Sequence, residues 1–100
     1  MSKSEKDAIK AAVQRGVRWL DRHRPGWENL IDPETLDLGS PCRCVLGQLD
    51  GDFFEASWAA GLSKAGTARL GLSAPQGASY PSLTAAWKRV IRARQRKAHA

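Results

Sequence analysis

Residues 80–97 read YPSLTAAWKRVIRARQRK. Leu83, Trp87, Val90 and Ile91 recur at spacings of three and four, which places them on one stripe of a helix with 3.6 residues per turn. Pro81 suits the first helical position, where its missing N–H is not needed. The spacing predicts a helix from about Pro81 to about Lys97. Lys88, Arg89, Arg92 and Arg96 fall together on the face opposite the stripe, and Lys97 extends the basic run. Arg94 lies on the apolar meridian. The core is therefore expected to end near Ile91, with the helix projecting beyond it.

The same periodicity marks the other end of the chain. Ile9, Ala12, Val13, Gly16, Val17 and Leu20 share one face of a helix expected from about Ser4, a good N-cap, to about His23. Trp19 borders that face, and Arg15, Arg18 and Arg22 oppose it. Arg24-Pro25-Gly26 ends the helix. Between the two ends the signals are shorter. Trp27, Leu30 and Ile31 read as a helical turn. Asp32-Pro33-Glu34 is a cap followed by proline, and residues 35–38 fit either one helical turn or a brief extended piece. Ser40-Pro41 repeats the cap-and-proline signal, so a helix is expected from Pro41 to Leu49, with Cys42, Val45, Leu46 and Leu49 inward and Asp50-Gly51 as its stop. Phe53 to about Leu62 reads as a further helix, with Phe54, Trp58 and Leu62 at i, i+4 and i+8. Residues 63–79 are the least regular stretch, with Leu70 and Leu72 as anchors. Gly61-Leu62-Ser63 and Gly71-Leu72-Ser73 echo each other, which is too little for a repeat architecture. No segment alternates apolar and polar residues as a strand does. The expectation is an all-α fold, a small single-domain bundle over residues 1–100. Two longer terminal helices would surround two or three short ones, with residues 1–3 and 98–100 frayed.

Composition fits a globular chain. Of the 100 residues, 42% are apolar and 26% charged, enough for one core without staples. The first ten residues, MSKSEKDAIK, lack the apolar stretch of a signal peptide, and no run reaches the ~20 apolar residues of a membrane helix. A cytoplasmic location with reduced thiols, and no membrane contact, is the expectation. Charge is unevenly spread. Residues 1–55 hold eight Lys/Arg and all ten Asp/Glu, and residues 56–100 hold eight Lys/Arg and no acid. The net +6 thus hides a local +8 at the C-terminal side. Two readings follow: an anionic partner, or basic terminal helices that fold against the acidic middle and neutralise it.

Catalytic and cofactor motifs are absent. The chain has no phosphate-binding glycine loop, no nucleophile elbow and no metalloprotease helix, and its two histidines are His23 and His99. No enzyme activity and no cofactor are expected. Cys42 and Cys44 lie two apart, too close for an ordinary disulfide. A zinc site would need His23 and an acid as further ligands, and the paired clusters typical of zinc are missing. On a helix the two cysteines point about 200° apart. One of them is expected as a small buried hydrophobe and the other near the surface, with no metal site. Trp19, Trp27, Trp58 and Trp87 all read as core residues, with stacking on a partner as the sharper alternative. A helix-turn-helix forced onto residues 41–62 would point Asp52 and Glu55 at DNA, which opposes base reading.

Two segments resemble a known group. Trp27-Glu28-Asn29-Leu30-Ile31-Asp32, Thr35-Leu36-Asp37-Leu38, Cys44-Val45-Leu46-Gly47-Gln48-Leu49 and Gly51-Asp52 are similar to a run shared by short proteins encoded in phages and prophages of actinobacteria. Tyr80-Pro81-Ser82-Leu83-Thr84-Ala85-Ala86-Trp87 through Ile91 resembles their closing helix. The chain departs from the usual form at Asp50, where that form often has Tyr, and over residues 63–79, which are rich in Gly, Ala and Ser here where that form has an acid-bearing segment. The resemblance implies a phage-encoded cytoplasmic protein of an actinobacterial host, and brings no activity and no site residues with it. The leading expectation is a non-enzymatic accessory protein that binds a host macromolecule, a host protein first. Nucleic-acid binding through Lys88, Arg89, Arg92, Arg96 and Lys97 is the alternative, and a structural or assembly component is the third.

Overall fold

The computed structural model describes the backbone of residues 3–98 and the side chains of residues 5–98. Helix α1 (Lys3–His23) is followed by a 3-10 turn (Trp27–Leu30), three short helices α2 (Val45–Asp50), α3 (Phe53–Ala59) and α4 (Lys64–Arg69), and the long α5 (Tyr80–Ala98). The all-α bundle with two longer terminal helices is thus the architecture. Ser4 stands inside α1, which begins at Lys3. Of the ends expected to fray, Lys3 and Ala98 stand in helix, while Met1, Ser2, His99 and Ala100 lie outside the described residues. Among the described residues, no helix is long and apolar enough to cross a membrane.

The two long helices meet through the stripes that their spacing predicts. Ile9, Ala12, Val13 and Leu20 of α1 are buried, as are Leu83, Trp87 and Ile91 of α5. Contacts advance together along both helices, Gly16 against Trp87 and Asp21 against Arg94. Gly16 has a steric role, since a Cβ there would collide with the Leu70 carbonyl and the Trp87 ring. Trp27 and Trp87 are both fully buried and meet edge to face, with centroids 5.8 Å apart. Their indole N–H groups are satisfied. Trp27 donates to Asp21 Oδ1 at 3.0 Å and Trp87 to the Gly71 carbonyl at 2.6 Å. Each indole thereby adds large apolar burial without an orphaned polar atom.

The middle of the chain is organised by caps. The expected Pro41–Leu49 helix begins only at Val45, because residues 41–43 form a turn. Cys44 is the N-cap, and its sulfur accepts from the Gly47 N–H at 3.3 Å. The turn brings the Pro41 carbonyl to the Phe53 N–H at 2.8 Å, and Gly47 packs against Pro41 with no room for a Cβ. Cys42 is therefore exposed rather than inward, and Cys44 is buried. Residues 33–35 form a turn capped by Asp32, whose carboxylate accepts from the Glu34 N–H at 2.9 Å. Gln48 fastens that turn to α2, accepting from the Asp32 N–H at 2.7 Å and donating to the Asp32 carbonyl at 3.1 Å.

The irregular stretch contains a helix that the sequence did not announce. Ser63 caps α4 by accepting from the Gly66 N–H at 3.0 Å. The echoed Gly-Leu-Ser tripeptides are two copies of one helix stop. Gly61 and Gly71 both have left-handed φ, +71° and +66°. Gly61 donates to Trp58 and Leu62 to Ser57, just as Gly71 donates to Ala68 and Leu72 to Thr67. This is the paired bonding of a Schellman cap, for which glycine is the favoured residue.

The buried stripe of α5 does end at Ile91, but the next turn is held rather than projecting. Arg94 reaches Asp21 at 2.6 Å and Glu28 at 3.4 Å and lies over the Trp27 ring. Gln95 donates to the carbonyls of Glu28 and Ile31 at 2.8 and 2.9 Å. Arg92 pairs with Glu34 at 3.0 Å. Part of the basic helix thus folds against the acidic middle.

Candidate binding surfaces

The five basic residues expected to form one interface are divided by the packing of α5. Thr84, Arg92 and Gln95 face residues 28–38, where Thr84 Oγ1 accepts from the Leu38 N–H. Lys88 lies between Thr84 and Arg92 along the same row and is half-buried. Arg92 pairs with the exposed Glu34 at the surface. Arg89 turns the other way, toward α1, and Arg96 and Lys97 stand exposed in the last turn. They do not make one uninterrupted track of the kind that follows a phosphate backbone.

The most exposed apolar surface lies elsewhere. Phe54 is 66% exposed and Trp58 84%. The spacing of Phe54, Trp58 and Leu62 suggests an inward stripe, but α3 presents its other face to the core. Asp52 fixes the start of α3, with its carboxylate accepting from the Phe54 and Glu55 N–H groups at 2.9 and 3.0 Å. Ala56 and Ser57 then point inward, with Phe53 partly buried beside them. Phe54 packs only edge to face on Phe53, 5.3 Å between centroids. Beside this face opens a groove of about 500 Å³. Its lining includes Leu38, Cys44 and Leu72, and Phe54 and the partly exposed Tyr80 stand along it. Two of its hydroxyls are already committed, Thr67 to Ser73 at 2.9 Å and Ser57 to the Phe54 carbonyl at 3.2 Å. The arrangement suits contact with apolar groups.

The other tryptophans are accounted for inside the fold. Trp27 and Trp87 are core, and Trp19 is half-buried with His23 stacked on it at 4.4 Å. Small residues at 56 and 57 were the available sign that α3 turns its narrow side inward.

The cysteines separate as their spacing suggests, one inside and one out. Among the described residues no three His, Cys, Asp or Glu side chains gather as metal ligands. Burial pushes the Cys44 thiol up from its ordinary pKa, and the Asp52 carboxylate adds to the rise against the opposing backbone N–H groups. A maleimide reagent at neutral pH is expected to label Cys42 rapidly and Cys44 only on unfolding; equal labelling rates, read by mass spectrometry of the native protein, would contradict the assignment. The raised thiol also stabilises the fold below the ordinary thiol pKa. That contribution is lost as pH rises through the higher folded value, because the unfolded chain releases its proton first.

Comparison with family models, with curated proteins and with solved structures finds no match to this chain.

Proposed function

We propose that this chain is a non-enzymatic accessory protein of phage origin that acts by binding a protein of the bacterial host. The exposure of Trp58, with Phe54 one turn away, carries the reading. An 84% exposed Trp makes little contribution to the fold, and a neighbouring large apolar side chain adds to its cost in solubility. Aromatic anchors of this kind supply most of the energy of protein interfaces. The phage origin rests on the resemblance of residues 27–38, 44–49, 51–52 and 80–91. The nucleic-acid reading is weaker, because Arg92 is drawn to Glu34 and the remaining cations face different ways.

Affinity capture from an actinobacterial lysate, with and without nuclease, tests the proposal. The expected partner is a protein retained after nuclease and at moderate salt. The Phe54→Ala/Trp58→Ala variant is expected to lose it while keeping its stability within about 1 kcal/mol, as exposed positions do. No reproducible partner, a partner released by nuclease, or full capture by the double variant would overturn it.

A further inference from the structure

A second surface shares no lining residue with the aromatic face. It is a groove of about 460 Å³ between α1 and α5. The half-buried Ala86 and Val90 make its accessible floor, beside the buried Ile9 and Val13 of α1, and Lys6, Lys10 and Arg89 stand on its walls. The wall on α5 is low because Ser82 and Ala85 are small. No acidic residue lines the groove, and Asp7, exposed on the same helix, is outside it.

The three cations differ from the arginines that pair within the chain. Arg24, Arg92 and Arg94 each meet a carboxylate of this chain. Lys6, Lys10 and Arg89 are exposed and, among the described residues, make no ion pair. The chain's own acids in the middle region answer one side of α5 and leave this side uncompensated. Apolar floor and uncompensated basic walls therefore coincide along about two helical turns, from Lys6 to Gln14 on one side and Ser82 to Val90 on the other.

We infer that this groove receives an acidic amphipathic helix of a partner protein. Apolar side chains at spacings of three and four would enter over Ala86 and Val90, and flanking Asp or Glu would meet Lys6 and Lys10 on one wall and Arg89 on the other. Charge complementarity selects the partner and speeds encounter, and the buried apolar contacts hold it. A single-stranded nucleic acid fits less well. The lining holds no aromatic ring on which a base could stack, and an apolar floor offers a phosphate backbone nothing. The inference shares the premise of a protein partner with the proposed function but uses a different face, so the two fail separately.

The test is a fluorescence-anisotropy titration of the full chain against a labelled synthetic helix of about 18 residues, with Leu on one stripe and Glu flanking it. A second peptide with Lys in place of Glu and a short DNA duplex serve as competing probes. The acidic peptide is expected to bind at least about tenfold more tightly than the basic one. Lys6→Glu, Lys10→Glu and Arg89→Glu are each expected to weaken it about fivefold, and the triple variant about a hundredfold. These side chains are exposed, so the fold should be retained, and the single variants read out even if the triple does not fold. Arg96→Glu/Lys97→Glu and Phe54→Ala/Trp58→Ala should bind within about twofold of the parent if the groove alone is responsible. Undiminished binding by the single charge reversals would overturn the inference. So would an equal loss in Arg96→Glu/Lys97→Glu, which would mean net charge alone, or displacement of the peptide by the duplex. Self-association of the parent abolished by Arg89→Glu would place a second copy in the groove and overturn it as well.

Discussion

Trp87→Ala is expected to lose about 4 kcal/mol of stability, within the range for removing a buried aromatic ring. Trp87 has no exposed surface and lies where α5, Trp27, Gly16 and the Gly71 turn converge. Truncation would open a cavity between the two long helices. It would also orphan the Gly71 carbonyl, which the indole N–H reaches at 2.6 Å. A domain of this size has only about 5–15 kcal/mol in total, so the variant should lose a large share of its stability and unfold at a clearly lower urea concentration. Trp87→Phe separates the two causes. It keeps most of the packing, loses the hydrogen bond, and should cost about half as much. Urea unfolding followed by circular dichroism measures both, and an unchanged midpoint for Trp87→Ala would contradict the packing described.

Gly16→Ala should destabilise by about 2–3 kcal/mol, against the direction that helix propensity alone dictates. In an exposed helix interior the same change gains about 1 kcal/mol. At Gly16 the added methyl would meet the Leu70 carbonyl, which belongs to backbone and cannot rotate away, and the Trp87 ring, which is locked by its own bond to Gly71. The helix or the residue 70–71 turn would have to shift, as overpacked cores do at similar cost. A stabilised Gly16→Ala in the same unfolding experiment would mean that α1 does not approach that turn.

These two positions show what was legible in the sequence. The stripe containing Trp87 could be read because a long helix repeats its apolar spacing often enough to fix a face. The reason for Gly16 could not be read, because it depends on the Leu70 carbonyl, 54 positions away in the chain. The same difference separates the tryptophans. Trp27 and Trp87 are inward as their neighbours suggest, while Trp58 is not. A seven-residue α3 gives spacing for two stripes, and its rotation is decided by the Asp52 cap and the small Ala56-Ser57 face. Periodicity identifies an apolar stripe but not whether anything covers it. The basic face of α5 was likewise visible as a pattern, whereas its division depends on which acids of residues 21–34 come within reach. The echoed Gly-Leu-Ser tripeptides carried real information, as helix stops rather than as a repeat.

Trp58 faces outward on this fold, and the proposed partner is expected to cover it. Fluorine NMR of protein labelled with 5-fluorotryptophan tests it most directly, because each of the four indoles gives its own signal. A soluble paramagnetic agent should broaden Trp58 strongly, Trp19 partly, and Trp27 and Trp87 hardly at all. Addition of the captured host protein should then protect Trp58 while leaving the core signals in place. A Trp58 signal as sheltered as that of Trp87 in the free protein, or one still fully broadened in the complex, would contradict it.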